Sequence, residues 1–296
     1  MDFKEELKKY QNIIEEELKK YIKDKDCPEA EIYEAMEYSL ISGGKRIRPI
    51  LILATYNLFK ADYNFCMPYA VAIEMIHNFS LIHDDLPAID NDDFRHGKPT
   101  NHKKFNECIA ILAGDGLLNY AYNVISDDLK NTKDIQKLNE KIKIFNEFTN
   151  AVVRMIAGEY VDTEFEGKPI SSDYLEYMHK NKTGALIKVC VRTGAILGGA
   201  SNEQLEELTS YAEKIGLAFQ IKDDILSEEG DEIVTGKPVG NDRESNKCTY
   251  VTKYGLKESK DILEKIISEA VEITERYGEK GIFLKNLAMY IKDRNK

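Results

Sequence analysis

Apolar side chains recur at every third or fourth position through most long segments of this 296-residue chain. The clearest series are Leu7, Tyr10, Ile14, Leu18 and Ile22 near the start, and Ile262, Ile266, Ile267, Val271 and Ile273 near the end. This spacing places apolar residues on one face of an α-helix, whereas the alternation typical of β-strands is scarce. The sequence therefore predicts an all-α protein, a bundle of antiparallel helices that forms a single domain over residues 1–296.

The net charge argues against nucleic acid as a partner. The formal charge is -11 at pH 7, and nucleic-acid binding draws most of its affinity from cationic contacts to phosphate. The same charge would repel a diphosphate. An enzyme of this composition that acts on small anionic substrates therefore needs local cations or bound metal ions.

Signals of a membrane or secreted protein are scarce. No apolar run approaches the roughly 18 residues of a membrane-spanning helix, and residues 1–10 lack the unbroken apolar core of a signal peptide. The cysteines are scattered, odd in number and without a CxxC pair, which argues against a disulfide framework or a zinc site. They are Cys27, Cys66, Cys108, Cys190 and Cys248. We expect a cytoplasmic protein with reduced thiols and no membrane segment.

Two acidic clusters follow apolar segments that lie far apart in the chain. Asp84 and Asp85 close one such segment, and Asp223 and Asp224 close the other. Pro87 disfavours helical geometry at the residue before it, so the first cluster is expected where a buried helix ends. Carboxylates at the ends of buried helices require compensating cations.

A divalent metal ion is the compensation that the acidic clusters favour. Two negative charges about 4 Å apart repel by roughly 4 kcal/mol near a protein surface. Mg²⁺ takes oxygen ligands and commonly bridges carboxylates to substrate phosphates. A further pair, Asp127 and Asp128, lies in a polar stretch, where we expect a solvated surface instead.

A basic loop precedes the first cluster. Two glycines at positions 43 and 44 are followed by Lys45, Arg46 and Arg48, and Pro49 can open the next helix. Helix starts with nearby cations bind phosphate groups. A plain basic turn is an equally compatible interpretation.

Five motifs, taken in order, resemble those of a known family. They are GGKRIRP at 43–49, HNFSLIHDDLPAID at 77–90, KTGAL at 182–186, FQIKDD at 219–224 and GKP at 236–238. Over nearly its whole length the chain resembles the trans-isoprenyl diphosphate synthases, or polyprenyl synthetases. The resemblance implies an isoprenoid synthase fold around a central active-site cavity. It also implies a homodimeric prenyltransferase that joins isopentenyl diphosphate to an allylic diphosphate with three Mg²⁺ ions.

The resemblance assigns roles to individual residues. The implied metal ligands are Asp84, Asp85, Asp90, Asp223 and Asp224. The residues implied in catalysis and in binding the allylic diphosphate are Arg95, Lys182, Thr183, Gln220 and Lys237. The residues implied in binding isopentenyl diphosphate are Lys45, Arg48, His77 and His96. For His77, a place in the core is the alternative.

Phe79 bears on the length of the product. It stands five residues before Asp84, about 7.5 Å along a helix, where a phenyl ring could form the floor of a cavity. In the resemblance, an aromatic residue here and a two-residue expansion between Asp85 and Asp90 are typical of bacterial enzymes that make farnesyl diphosphate. Geranyl and geranylgeranyl diphosphate are the alternative products, and ordinary core packing is the alternative role for Phe79.

Three positions depart from the family pattern. His96 replaces the second arginine of the usual Arg-Arg-Gly, and histidine offers fewer donors and is often neutral at pH 7. Ser227 stands where the second acidic motif usually has a third aspartate. Glu159 follows Gly158 where glutamine is common, and the sequence gives no physical account of that difference.

Other classes of protein fit less well. A metal phosphohydrolase built on His83 and Asp84 would need further histidine ligands, and the other histidines have no metal-binding spacing. A terpene cyclase would have no use for a second cationic site at Lys45 and Arg48. A non-catalytic partner subunit is conceivable because of the departures at His96 and Ser227.

Overall fold

The computed structural model describes residues 2–21, 26–168, 170–229 and 248–295, and most of them are helical. The only paired strands in the described part form one two-stranded hairpin. The prediction of an all-α protein is therefore confirmed. The chain divides into two compact units. Unit 1 comprises Met1–Leu53 and Ala61–Phe145, and unit 2 comprises Ala54–Lys60 and Asn146–Lys296.

Unit 1 is built around two helices that pack against each other, α4 and α6. Its elements in order are α1 (Phe3–Leu18), α2 (Ala30–Leu40), the start of α3 (Ile47–Asn57), a 3₁₀ turn (Tyr63–Phe65), α4 (Met67–Asp84), β1 (Phe94–Arg95), β2 (Lys98–Pro99), α5 (Asn101–Lys104), α6 (Glu107–Asn131) and the start of α7 (Ile135–Glu164). Every residue from Tyr69 to Ile76 is buried, so all faces of α4 are covered there, as its apolar sequence predicts.

Unit 2 contains the end of α3, the rest of α7 and the C-terminal helices. They are α8 (Ser172–His179), a π-helix (Lys180–Gly184), α9 (Ala185–Gly198), α10 (Asn202–Glu229), α11 (Tyr250–Tyr254), α12 (Leu256–Glu275), a 3₁₀ turn (Gly278–Gly281) and α13 (Ile282–Asp293). Helix α10 packs against α9, α12 and the π-helix. A Cβ at Gly216 would lie 3.2 Å from Gly184 Cα, so a glycine pair brings α10 close to the π-helix.

Two polar, glycine-containing stretches of the sequence are breaks in the structure. Ser42 to Gly44 separate α2 from α3, and residues 96–97 form the tip of the hairpin. The single-domain organisation over 1–296 stays a prediction. The expectation of a solvated surface is wrong for Asp128, because its carboxylate accepts hydrogen bonds from Tyr69 Oη at 2.9 Å and Lys141 Nζ at 2.8 Å.

Among the described residues, α6 alone has the length and apolar composition that a membrane-spanning helix needs. One such helix is weak evidence for a span, because core helices of soluble proteins pass the same test. Only 39% of its apolar window is buried within the protein. The five cysteines are all free, in agreement with the expectation of reduced thiols.

Gly158 allows α7 to contact the π-helix through backbone atoms. A Cβ at this position would lie 2.2 Å from Lys182 N and 2.7 Å from Lys182 Cα, and backbone atoms within a helix cannot move aside. We therefore expect Gly158→Ala to lower the free energy of unfolding by about 2 kcal/mol. Urea unfolding measures this change.

Gly116→Ala is the matched control, since it also adds a methyl group to a long helix. Its Cβ would meet only the flexible side chain of Met36, at 2.9 Å from Sδ, while helix propensity improves by up to about 1 kcal/mol. Equal losses in the two variants would contradict the interpretation.

Candidate active site

The loop after α4 brings two of the expected metal ligands together. Asp84 is the last residue of the helix, and the backbone N–H of Asp90 donates to Asp84 O at 2.9 Å. Asn91 N donates to Leu86 O at 3.1 Å, and Asn91 has a left-handed backbone with φ of 52°. This closed loop returns residue 90 to the end of the helix, so the acids on both sides of the loop are neighbours.

Asp85 is held by Arg95, from the first strand of the hairpin. Arg95 Nε lies 2.9 Å from both carboxylate oxygens of Asp85, and Nη2 lies 2.5 Å from Oδ1. Burial raises the pKa of the Asp85 carboxyl, and the Arg95 hydrogen bonds oppose that rise. The guanidinium is therefore the main compensation for this carboxylate within the protein.

The hairpin turn after Arg95 fixes the position of its backbone. His96 and Gly97 at its tip have φ values of 53° and 75°, and two consecutive positive φ values are typical of a type I′ turn. Burial and the cationic neighbours, Arg95 foremost, lower the pKa of His96 below its usual value. At pH 7 His96 is therefore a neutral side chain, where the family pattern has a cation.

Arg46, in the middle of the basic loop, is used inside unit 1. Its guanidinium lies 2.5 Å from Glu74 Oε1 and donates to Leu40 O at 2.7 Å, and both charged side chains are almost fully buried. Arg46 also has a left-handed backbone with φ of 55°. One of the three cations of the loop is thus a structural anchor between the loop and α4.

Arg48 and His77, both expected to bind isopentenyl diphosphate, meet in unit 1. Arg48 Nη1 lies 3.3 Å from His77 Nε2. Burial lowers the pKa of His77 well below its usual value, and Arg48, Arg95 and Arg46 lower it further. The neutral ring accepts a hydrogen bond from Arg48. This contact holds the Arg48 guanidinium, with its several N–H donors, at the first turn of α3.

Lys182 is the centre of a charge cluster in unit 2. Its Nζ lies 2.5 Å from Asp162 Oδ2 and 2.9 Å from Glu159 Oε2, both on α7. Although burial acts to lower it, Asp162 and Glu159 raise the pKa of Lys182 above its usual value. The lysine therefore stays cationic. The contact also gives a physical account of Glu159, which supplies a second anionic partner to this lysine.

The π-helix and α10 bring the remaining expected residues of unit 2 together. Gln220 Oε1 lies 3.3 Å from His179 Nδ1, and the ring of His179 lies 3.7 Å from Asp224 Oδ2. Asp224 also accepts from the backbone N–H of Tyr250 at 2.8 Å. Thr183 is buried in the same π-helix. π-Helical turns are often found at functional sites.

Asp223 is paired with an arginine near the C-terminus. Arg294 Nη2 lies 2.5 Å from Asp223 Oδ1 and 3.0 Å from Phe219 O, and its guanidinium lies 4.0 Å from the centre of the Phe219 ring. The expected ligand of a third metal ion is thereby compensated by a cation of the same unit.

The expected site residues thus form two groups. Unit 1 holds Lys45, Arg48, His77, Phe79, Asp84, Asp85, Asp90, Arg95 and His96, and unit 2 holds Lys182, Thr183, Gln220, Asp223 and Asp224. Lys237 lies outside the described residues. That the two groups face one cavity stays a prediction.

The carboxylate donors have the chemistry that Mg²⁺ prefers, since all of them are oxygen ligands. In the described part of the chain, no set of three or more His, Cys, Asp or Glu side chains is already arranged to hold a metal ion. Asp85 and Asp223 are each bound to an arginine instead. The residues therefore fit Mg²⁺ by type.

Four residues in these clusters were missed from the sequence. They are Glu159, Asp162, His179 and Arg294. Asp162 and Glu159 follow Gly158 at helical spacing, which was a usable signal for a shared face. Arg294 is 71 residues from its partner Asp223, and no local pattern indicates such a contact.

Comparison with known proteins places these clusters in a family context. The family model described as polyprenyl synthetase matches residues 29–280. The chain is 46% identical over 261 residues to the farnesyl diphosphate synthase of Geobacillus stearothermophilus, covering 87% of this chain and 86% of that protein. It is 42% identical over 267 residues to the geranylgeranyl diphosphate synthase of Cyanophora paradoxa, covering 89% and 88%.

A solved structure agrees over almost the entire chain. The crystal structure of an FPP/GFPP synthase from Zymomonas mobilis matches with a TM-score of 0.86 at 31% sequence identity. The match covers 98% of each chain. The all-α architecture is therefore that of the isoprenoid synthases.

The Arg46–Glu74 pair generates a prediction about stability. Glu74→Gln leaves a buried arginine without its counter-charge, so we expect the free energy of unfolding to fall by about 3 kcal/mol. Replacement of both partners in Arg46→Met/Glu74→Leu removes both charges, and we expect this double variant to be more stable than Glu74→Gln. Urea unfolding of the parent and the variants checks both expectations. A double variant less stable than Glu74→Gln would show that the pair is not what holds the loop.

Proposed function

This chain belongs to the polyprenyl synthetase family, and we propose that it condenses isopentenyl diphosphate with an allylic diphosphate to make (2E,6E)-farnesyl diphosphate. The allylic substrates are dimethylallyl and geranyl diphosphate. The observation that carries the proposal is the pairing of acids and cations in each unit, at the end of α4 and between α7, the π-helix and α10. Its strongest external support is the 46% identity to a farnesyl diphosphate synthase.

In the proposed reaction the allylic C–O bond breaks first, and the electron pair leaves with the diphosphate. The double bond of isopentenyl diphosphate then attacks the allylic cation, and a proton is lost from the new carbocation. The released diphosphate accepts that proton, so no separate base is needed. At the described site, His77 contacts Arg48 and His179 contacts Gln220, and the proposal assigns the role of base to neither ring.

The chain's own cations bind the diphosphate groups in this proposal. Arg95, Lys182 and Lys237, with the side chains of Thr183 and Gln220, hold the allylic diphosphate. Lys182 is held in the cationic form by its two carboxylate partners, and its side chain is only 25% exposed, so solvent screens its charge less than at the surface. A fixed cation that needs no reorganisation stabilises the charge on the departing diphosphate.

Lys45, Arg48 and His77 hold isopentenyl diphosphate. The neutral His77 ring accepts from Arg48 and thereby fixes the direction in which the remaining guanidinium N–H groups point. Arginine can present two parallel donors to a phosphate, so this orientation favours a bidentate contact.

The proposed cofactor is Mg²⁺, as three ions held by Asp84, Asp85, Asp90, Asp223 and Asp224. When bound, Mg²⁺ neutralises the charge that develops on the leaving diphosphate. The backbone bond between Asp90 and Asp84 supports a shared site at the first cluster. At the second cluster, Asp223 and Asp224 would hold the ion, and Arg294 contacts Asp223 at Oδ1.

The decisive experiment is an assay of the purified protein with Mg²⁺, labelled isopentenyl diphosphate and each allylic primer in turn. Chromatography of the dephosphorylated products is expected to give a fifteen-carbon alcohol as the main species. A main product of ten or twenty carbons would replace the proposed specificity. Release of phosphate without a new carbon–carbon bond would reject the proposed reaction.

Phe79 supports farnesyl diphosphate as the product, with geranyl and geranylgeranyl diphosphate as the alternatives. Its ring is 6% exposed and contacts His83 edge-on at 4.9 Å between ring centres. His83 Nε2 lies 3.2 Å from Ile111 O on α6. The Phe79 ring is thus held in place by a second ring, as a cavity floor requires.

Replacement of Phe79 by alanine is expected to lengthen the product, because removal of the ring opens space beyond the fifteen-carbon chain. The main product is expected to move to twenty carbons or more in the same chromatographic assay. Phe148→Ala removes another fully buried phenylalanine, in α7, and is expected to reduce stability without changing product length. Identical product spectra for the parent and Phe79→Ala would assign Phe79 to ordinary core packing.

His96→Arg is expected to strengthen the binding of isopentenyl diphosphate. Histidine is neutral there at pH 7, and a gain of about 1 kcal/mol from a charged donor lowers the Michaelis constant about fivefold. Steady-state kinetics at pH 7 measure the change. Asn131→Arg adds the same charge at the end of α6 and should leave that constant unchanged. An unaltered constant in His96→Arg would show that this side chain does not face the substrate.

We also propose a cytoplasmic homodimer. Exposed apolar side chains support a partner surface in each unit: Ile111 and Leu112 on α6 are 44% and 42% exposed, and Val153 and Ile156 on α7 are 66% and 49% exposed. The five free thiols support a reducing compartment.

Sedimentation velocity at micromolar concentration tests the homodimer. The parent protein is expected at twice the mass of the chain, and Val153→Glu is expected to shift it towards the monomer by burying a charge in the interface. Phe65→Glu places the same charge at an exposed site in the 3₁₀ turn before α4 and should leave the dimer intact. A monomeric parent protein would refute the proposal.

A further inference from the structure

His179 is a buried histidine to which none of the proposed steps assigns a role. It ends α8 directly before the π-helix, and its side chain is 3% exposed. One ring nitrogen, Nδ1, lies 3.3 Å from the amide of Gln220, and the other, Nε2, lies 3.7 Å from Oδ2 of Asp224. One ring thus lies between a proposed substrate ligand and a proposed metal ligand.

The side chain is 3% exposed, and burial disfavours the charged form of an imidazole, so its two nitrogens have different capacities. A neutral imidazole has one N–H donor and one acceptor nitrogen. Which nitrogen carries the hydrogen follows from the partners on the two sides.

The partner of Nε2 decides the tautomer. Nε2 is buried and, within the described residues, lacks a hydrogen bond, which is costly for a buried polar atom. If Nδ1 carried the hydrogen, the lone pair of Nε2 would face the Asp224 carboxylate, and two acceptors would oppose each other. If Nε2 carries it, a small side-chain shift from 3.7 Å to an ordinary distance of about 2.8 Å makes an N–H···O⁻ bond.

The same tautomer sets the orientation of Gln220. With Nδ1 as an acceptor, the Gln220 amide must direct its NH₂ group at the ring. A half-turn about the last side-chain bond exchanges the amide oxygen and nitrogen, so the NH₂ group can occupy the place of Oε1 beside Nδ1. The amide oxygen then points away from the ring. A neutral histidine can therefore fix one carboxylate and one amide at the same time.

We propose that His179 is a positioning residue for the proposed prenyl transfer, in which its Nε2–H orients Asp224 for the metal ion and its Nδ1 orients the Gln220 amide for the allylic substrate. This role rests on the proposed function of the two residues that it contacts. It adds a link between them that acts through a single ring. The rigid attachment of His179 to the π-helix also ties the orientation of both residues to the segment that carries Lys182.

Two substitutions separate the functions of the two nitrogens. The amide of asparagine can occupy the place of Nδ1, so His179→Asn keeps the contact to Gln220 and loses the one to Asp224. The longer His179→Gln reaches the place of Nε2, so it keeps Asp224 and loses Gln220. His179→Phe keeps the ring volume, including the contact to Tyr250 at 5.5 Å between ring centres, and loses both.

The readouts are the half-saturating Mg²⁺ concentration, the Michaelis constant for geranyl diphosphate and that for isopentenyl diphosphate. We expect His179→Asn to raise the Mg²⁺ requirement about fivefold with little change for geranyl diphosphate. We expect His179→Gln to raise the constant for geranyl diphosphate about fivefold at unchanged Mg²⁺ requirement. His179→Phe should show both effects, and the constant for isopentenyl diphosphate should stay constant in all three.

His102→Phe is the matched control, because His102 is also a buried histidine whose Nε2 lacks a hydrogen bond among the described residues. It lies on α5 in unit 1, and we expect its replacement to change the unfolding midpoint alone. A merely structural role for His179 predicts parallel losses of activity and stability in Asn, Gln and Phe variants, and that result would overturn the inference.

The elongation activity of the parent protein distinguishes a failure of this inference from a failure of the proposed function. If the parent fails to elongate any allylic primer, the proposed function fails and the role of His179 falls with it. If the parent elongates primers but the Asn and Gln variants do not divide the two readouts, only the role of His179 is overturned. Should the Phe variant fail to fold, the Asn and Gln pair still decides the question.

Discussion

Charge compensation of buried and half-buried carboxylates is the constraint on which both groups of expected site residues depend. The protein has a large negative charge and nevertheless has clusters of acids at the end of α4 and within α10. It tolerates them because partners from distant segments satisfy them, as Arg95 does for Asp85 and Arg294 does for Asp223. An unpaired carboxylate at the buried Asp85 would cost several kcal/mol.

The sequence predicts the architecture well because helical periodicity and turn residues are local signals. The end of α4 at Asp84 follows from Pro87 and the apolar segment before it, whereas the short hairpin around His96 and Gly97 was not predicted. The roles of individual cations are less predictable. Arg46 stands among the basic residues of a phosphate-binding pattern, and only its long-range contact with Glu74 identifies it as an anchor.

Contacts between distant segments account for what sequence reasoning could not supply. Asp128 lies in a polar stretch, yet its carboxylate accepts a hydrogen bond from Lys141 on the next helix. Glu159 was an unexplained departure until its contact with Lys182, 23 residues later, gave it a partner. His179 resembles any buried histidine in sequence, and its position between Gln220 and Asp224 depends on the packing of α10 against the π-helix.

The π-helix has a consequence for how this region can change over evolution. Its wider turn over Lys180–Gly184 holds one more residue than an α-helical turn of the same rise. Loss of one residue there would restore ordinary α-helical winding within a single turn, so α8 and α9 would keep nearly the same relative rotation. The residues inside the turn would change direction instead, and Lys182 would lose its two carboxylate partners on α7. The length of this segment is therefore constrained together with the identity of Lys182.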